Sequence, residues 1–461
     1  MRIKHHLLWF TLTAALTLNG CQSSASITTV PASQTAAIPT PTTTAAVPTP
    51  PPTPEVTDAS ACPPLDAALL LQMAEIESQV AQLRGIMPSE SVSRSLLTSG
   101  ELREHVIDDF LGDYTQEEAL QDVRLLSRLG LIEPGIDLWQ LYADLFTEQI
   151  AGFYDTETGE MIVVCGSGFG GVERLTYAHE YTHALQDQAY DIRDGLQYNN
   201  DACEDDSERC FAIQALIEGD ATLLQEQWLR TFARDEDRSD LLEFFADFDM
   251  PVFDSAPAYI QSELTFPYFW GLHFIRTLYL DGGWAAVDTA YQNPPLSSEQ
   301  ILHPERYPKD PPVDLVSPNV SDALNSGWEK TVHDVLGEWA TRMVLNEYLP
   351  IDQASLAAEG WGGDLLLFFY QKEDDVDAFV LITQWDTMRD AHEFSAAFLD
   401  YGLSRYGDPE RPSSTSARWL YEDGISYFER VSNQTIWILA PDEQTLEALQ
   451  NAIYLPLRTN S

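Results

Sequence analysis

Residues 175–185 read Leu-Thr-Tyr-Ala-His-Glu-Tyr-Thr-His-Ala-Leu, and this window constrains the chain more than any other. Apart from Glu180 and the two histidines it carries no charged group, which suits a helix buried against a core. On an α-helix, side chains four residues apart stand one above the other on one face. His179 and His183 can therefore present two imidazole nitrogens to a single ion, with Glu180 beside the first of them.

His-Glu-x-x-His on a helix is the arrangement of zinc hydrolases, in which the Glu acts as general base. Catalytic zinc takes three protein ligands and keeps one position for water. The third ligand expected here is Glu218, in Leu216-Ile217-Glu218-Gly219-Asp220-Ala221-Thr222. Leu223, Leu224 and Trp228 continue that stretch at helical spacing, so Glu218 reads as a carboxylate on a second buried helix. A carboxylate in such a place needs a partner, and a metal is one. Gly219 has no side chain and lets the two helices approach closely.

With these residues in hand, the chain resembles the gluzincin class of metallopeptidases. It is also similar to a family of bacterial secreted or lipoprotein metallopeptidases. The stretches that carry the likeness begin at Ala151 (AGFYDTETGEMIVV), Tyr177 (YAHEYTHALQDQ), Ile217 (IEGDAT), Pro294 (PPLSSEQILHPERYP) and Ala357 (AAEGWGGD). The resemblance implies zinc held by His179, His183 and Glu218, with Glu180 as base. It also implies that extended substrate lies along the edge of a strand above the site, here in the 150–164 hairpin. There is one departure. The thermolysin-like pattern places an Asp four residues after the third ligand to orient the first His, and here that position is Thr222. Asp220 and Asp187 are the substitutes to consider. Gluzincins also use a downstream His or Tyr to stabilise the tetrahedral intermediate. His303, at the end of a short helix before Pro304, is the residue chosen for that role, with Tyr268 and Tyr307 in reserve. A His303 that only caps its helix through a carbonyl is the competing reading.

The address is extracytoplasmic. Arg2, Lys4, His5 and His6 precede the apolar run Leu7 to Leu18, and Leu18-Asn19-Gly20-Cys21 reads as a lipobox. The run is too short to span a bilayer, so residues 1–20 are expected to be a signal peptide. Lipidated Cys21 would then anchor the chain to the outer face of a bacterial membrane. An ordinary cleaved signal with a stray Cys is the plainer reading. Residues 21–61, rich in Pro, Thr, Ala and Ser, form an extended tether. Four cysteines follow, suggesting two disulfides: Cys203–Cys210 locally and, by elimination, Cys62–Cys165. A free Cys165 acting as a metal ligand is the sharper alternative. The net charge of −48 argues against nucleic acid and against electrostatic docking on anionic lipid.

The fold expected is α+β: a mainly helical, zincin-like catalytic domain with a β-hairpin or small sheet over residues 62–318, then a smaller C-terminal part over 319–461. Helices are read at Pro63–Arg84, Glu101–Phe110, Gln116–Leu129 and Asp137–Ile150. Residues 150–164 form a hairpin. Further helices cover Leu241–Phe248, Phe266–Leu280 with His273 as a core histidine, Ser298–Leu302 and Asn325–Glu347, the last carrying His333. After Gly360-Trp361-Gly362-Gly363 the pattern strand, strand, helix recurs, which suggests a weak duplication.

These readings converge on zinc-dependent hydrolysis of peptide bonds in a peptide or protein substrate. A non-catalytic surface lipoprotein with a structural zinc explains the tether and the acidic surface equally well, but gives Glu180 nothing to do. A zinc-dependent cell-wall amidase is the other enzymatic alternative.

Overall fold

Short polar side chains begin many of the helices. Thr98 and Thr115 each accept from the backbone N–H three residues on, and Glu101 and Glu118 return the bond, closing two capping boxes. The structure is a computed structural model that describes residues 62, 65–107, 111–112, 114–150, 152–164 and 169–459. The expected signal peptide, Cys21 and the whole tether lie outside the described residues, as does Cys165.

The first helices are α1 (Ala67–Arg84), α2 (Ser99–His105), α3 (Gln116–Leu129) and α4 (Leu138–Gln149). Strands β2 (Gly152–Asp155) and β3 (Glu160–Val164) form the expected antiparallel hairpin. A third strand, β1 (Ser93–Leu97), pairs parallel with β3, giving the order β1-β3-β2. Its sequence, Ser-Arg-Ser-Leu-Leu, has no alternating pattern and no counterpart among the expected strands. Arg94 holds it in place: Nε is 2.8 Å from the Tyr177 hydroxyl, and the guanidinium also pairs with Glu77 of α1.

The central helices follow. They are α5 (Gly171–Tyr190), α6 (Asn200–Asp205), α7 (Ser207–Thr231), α8 (Asp235–Asp247), α9 (Pro251–Ser255), α10 (Ala258–Gly282), α11 (Trp284–Gln292) and α12 (Ser298–Leu302). Every residue of α5 from Arg174 to Gln186 is buried. Cys203 and Cys210 form a disulfide between α6 and α7. Cys62 is also disulfide-bonded. Gly219 does permit a close approach, but to α10 rather than to α5. A Cβ on Gly219 would stand 2.2 Å from the Gly271 carbonyl, and one on Gly271 would stand 2.1 Å from the Ala215 oxygen. His273, expected in the core, is exposed on α10, with its ring edge-on to Trp270 at 5.9 Å.

The C-terminal part carries a six-stranded antiparallel sheet, so the chain is α+β with a mainly helical N-terminal region. The expected helix over Asn325–Glu347 is corrected here. Trp328–Asp334 is strand β4, which puts His333 on a strand, and only Gly337–Asn346 is helix, α13. Residues 328–334 pair along the outer edge of β5, a partner that local sequence does not reveal. Then come α14 (Ile351–Ala358), β5 (Trp361–Gln371), β6 (Val376–Trp385), α15 (Met388–Tyr406), β7 (Ser416–Tyr421), β8 (Gly424–Val431), β9 (Gln434–Ala440) and α16 (Glu443–Thr459). The sheet order is β4-β5-β6-β9-β8-β7. Phe394 and Phe398 of α15 pack with Phe379, Phe428 and Trp437 on one face, in a core continuous with the helical region. Leu446, Leu449 and Ile453 of α16 cover the other face. Three strands and a helix thus occur twice, with the helices on opposite faces.

Three carboxylates brace the junction of the two regions, and one of them bonds across it. Asp334 accepts from Ser207 N and Oγ at the start of α7. Asp364 accepts from Leu336 N, Gly337 N and Trp361 Nε1. Glu208 accepts from Ser298 N and Oγ, both at 2.6 Å. Gly337 (φ 84°) lies against that carboxylate, where a Cβ would stand 2.3 Å from the Glu208 Oε2.

Candidate metal centre

His179 and His183 face the same way because they are one turn apart on α5, with ring centroids 4.7 Å apart. Glu218 comes from α7, which crosses them. Its Oε2 is 3.2 Å from His179 Nε2 and 3.6 Å from His183 Nε2. His179, Glu180 and His183 also offer three ligand-type atoms within 4.8 Å of one another. All four side chains are buried. The residues expected as ligands and base therefore meet at one point.

The outer nitrogens of the histidines are held by amides. His179 Nδ1 lies 3.1 Å from Gln225 Oε1, and His183 Nδ1 lies 2.8 Å from Gln186 Oε1. An Nδ1–H bonded outward leaves the Nε2 lone pair directed inward. This corrects the expectation for Asp220 and Asp187. Asp220 accepts from Arg84 Nε and from the Tyr291 hydroxyl. Asp187 accepts from the Tyr154 hydroxyl and from Ile192 N. The partners of both carboxylates lie away from His179 and His183. Sequence reasoning missed both amides, although each has a signal: Gln186 is three residues after His183 and Gln225 is seven after Glu218, both at spacings that share a helical face.

Glu180 Oε2 accepts the backbone N–H of Tyr154 at 3.1 Å. Glu180 is thus tied to β2, an edge strand of the three-stranded sheet. Burial first, and the neighbouring Glu218 second, push the Glu180 carboxyl well above the usual range, and the Tyr154 N–H acts against them. Burial also raises Glu218. It pushes the His183 imidazole well below its usual range, with His179 adding to the effect.

The donor set fits zinc: two neutral imidazole nitrogens and a carboxylate oxygen are the ligands that ion takes. Glu180 Oε1 and Glu218 Oε1 are buried without a hydrogen-bond partner. Two carboxylates packed this closely in an apolar interior need compensating charge, which a divalent cation among these atoms would supply.

Tyr268 is the downstream residue that the fold brings here. Its ring is 6.3 Å from that of His179, and its hydroxyl is near enough to Glu218 to favour the charged carboxylate. The Gly219–Gly271 contact explains this, since Tyr268 is one turn before Gly271 on α10. His303 is placed elsewhere. Its Nε2 is 2.9 Å from Glu338 Oε1 and its Nδ1 is 4.0 Å from Glu305, so both nitrogens turn to carboxylates outside the His179–Glu218 cluster. Its backbone N–H donates to the Glu299 carbonyl at 2.8 Å as the C-cap of α12, which is the competing capping reading. Tyr307 donates its hydroxyl to the Asn293 carbonyl. Other stretches behind the family likeness serve the junction: Arg306 joins Glu299 of α12 to Asp386 at the end of β6.

No curated protein and no solved structure matches the chain. A family model described as a domain of unknown function (DUF8575) matches residues 325–450, which run from just before β4 into α16 and leave the His179–Glu218 cluster outside the match.

Proposed function

We propose that this chain is a zinc-dependent metallopeptidase. The observation that carries the reading is the convergence of Glu218 Oε2 from α7 on the Nε2 atoms of His179 and His183 from α5, with Glu180 beside them. A structural site has no use for a fourth, ionisable group in that position. His179, His183 and Glu218 would hold the ion, which when bound supplies Lewis acidity and brings the pKa of water toward neutrality.

The remaining work belongs to the chain. Glu180 takes a proton from the attacking water and later delivers it to the leaving amine nitrogen. A carboxyl whose pKa is raised by burial is suited to the second task. The Tyr154 N–H fixes one Glu180 oxygen and leaves Oε1 for the water. Tyr268, rather than His303, donates to the oxyanion that develops on the substrate. Strand β2, at the sheet edge beside Glu180, is where an extended peptide adds by backbone pairing. With the signal, lipobox and tether of residues 1–61, the enzyme would act outside the cell, anchored through Cys21.

The test pairs metal analysis with cleavage of a general peptide library. Purified protein should hold about one zinc per chain. Glu180→Gln should keep the zinc and lose cleavage, and Glu218→Ala should lose the zinc. Zinc that stays fully bound in Glu218→Ala would remove Glu218 from the site, and wild-type protein that binds zinc but cleaves no peptide would favour a structural centre.

A further inference from the structure

The amide of Gln186 makes two contacts that fix its orientation. Oε1 faces His183 Nδ1 at 2.8 Å, and Nε2 donates to the Ile217 carbonyl at 3.1 Å. Gln186 is fully buried, and it shares a face of α5 with His183 one turn away. Turning the amide over would set its oxygen against the Ile217 carbonyl oxygen and its NH2 against the imidazole. Both groups are buried, so that oxygen–oxygen contact would be costly. The orientation is therefore dictated by the backbone of α7, at the residue immediately before Glu218.

We propose that Gln186 is a positioning residue for the metal centre: it reads the Ile217 carbonyl of α7 and imposes the Nδ1–H tautomer on His183 of α5, so that the lone pair of Nε2 points to Glu218 before any ion arrives. The chain of hydrogen bonds runs from His183 Nδ1–H to Gln186 Oε1 and from Gln186 Nε2–H to Ile217 O. One neutral side chain thus sets the state of one ligand and ties it to the helix that carries another. A neutral amide also suits the charge balance. Glu180 and Glu218 already bring two negative charges, and a carboxylate in place of Gln186 would add a third to the same apolar interior. The metal role rests on the metallopeptidase reading above, but the tautomer does not.

The experiment is long-range 1H–15N correlation of the His183 ring in the full chain stripped of metal, followed by zinc titration against a competing chelator. In the wild type, His183 should carry its proton on Nδ1. Gln186→Leu, close to isosteric, should lose that preference and raise the zinc dissociation constant by about 10- to 100-fold. Gln186→Glu keeps an acceptor for Nδ1–H while it loses the donor to Ile217 and adds a charge, so it should bind zinc differently but retain the tautomer, which a purely packing role would not predict. A wild-type His183 protonated on Nε2, or a Gln186→Leu chain with unchanged tautomer, would overturn the proposal. If no form of the protein binds zinc, the metallopeptidase reading fails, and the metal-free spectra still decide the tautomer assignment.

Discussion

Arg84 Nε lies 2.9 Å from Asp220 Oδ1, with both side chains fully buried and 136 residues apart in sequence. Arg84 also reaches Asp288 at 2.7 Å and lies over the Trp284 ring at 4.5 Å. The pair clamps α1 and α11 to the back of α7, two residues from Glu218. Removing Arg84 leaves Asp220 an uncompensated buried charge, which costs about 3–5 kcal/mol. Removing Asp220 costs less, because Arg84 keeps Asp288. Arg84→Met and Asp220→Ala should each lower the urea midpoint accordingly, while the double variant should recover part of the loss. Single variants as stable as the wild type would show that the clamp contributes nothing.

The approach of α7 to α10 is a second point of control. A methyl group on Gly271 has no room against the Ala215 carbonyl. Gly271→Ala should cost at least about 1–3 kcal/mol, the usual effect of overpacking. It should also reduce turnover by moving Tyr268 away from Glu218. Thermal denaturation and peptide hydrolysis measure the two effects, and loss of stability with full turnover would separate Tyr268 from catalysis.

The two donor candidates are distinguished by substitution. Tyr268→Phe should cut kcat by roughly a hundredfold, the scale of one lost oxyanion donor, with zinc content unchanged. His303→Ala should leave turnover nearly intact and lower stability, because Glu338 loses its 2.9 Å partner. The reverse pattern would return His303 to the site.

Stability should fall as pH rises. Burial pushes Glu208 from its ordinary 4.5 up to about 8. Burial, with Glu338 next in size, pushes Glu299 up to about 9. A carboxyl whose pKa is higher in the fold than in the unfolded chain keeps its proton in the fold while the unfolded chain releases it. Its contribution is complete below 4.5 and is lost as pH climbs through the folded values. The melting temperature should therefore decline between about pH 5 and pH 9. Glu208→Gln should flatten that decline, and an identical slope in the variant would show that Glu208 does not titrate in this window.

Much of the cluster was legible because helices write their faces into the sequence. His179 and His183 are one turn apart, and Glu218 interrupts an apolar stripe that leaves it no solvent. The hairpin at 152–164 and the sheet strands from β5 onward were readable for a related reason. They are apolar runs bounded by polar turns, and that pattern is local. His273 was misread because an apolar sequence neighbourhood does not reveal which face of α10 a residue occupies. Strand β4 was misread because its partner lies beyond the window in which its polar residues were judged.

The sequence by itself determined the α+β class, the two helices that carry His179, His183 and Glu218, and the Cys203–Cys210 pairing. Each depends on patterns that span a few residues of local sequence. Only the tertiary structure set Gln225 and Gln186 against the outer nitrogens of His179 and His183, paired Asp220 with Arg84, and brought Tyr268 rather than His303 near Glu218. Those outcomes depend on which helices touch and how closely. The approach of α7 to α10 is set where Gly219 and Gly271 let two backbones meet, a packing contact between residues 52 positions apart that no local pattern encodes.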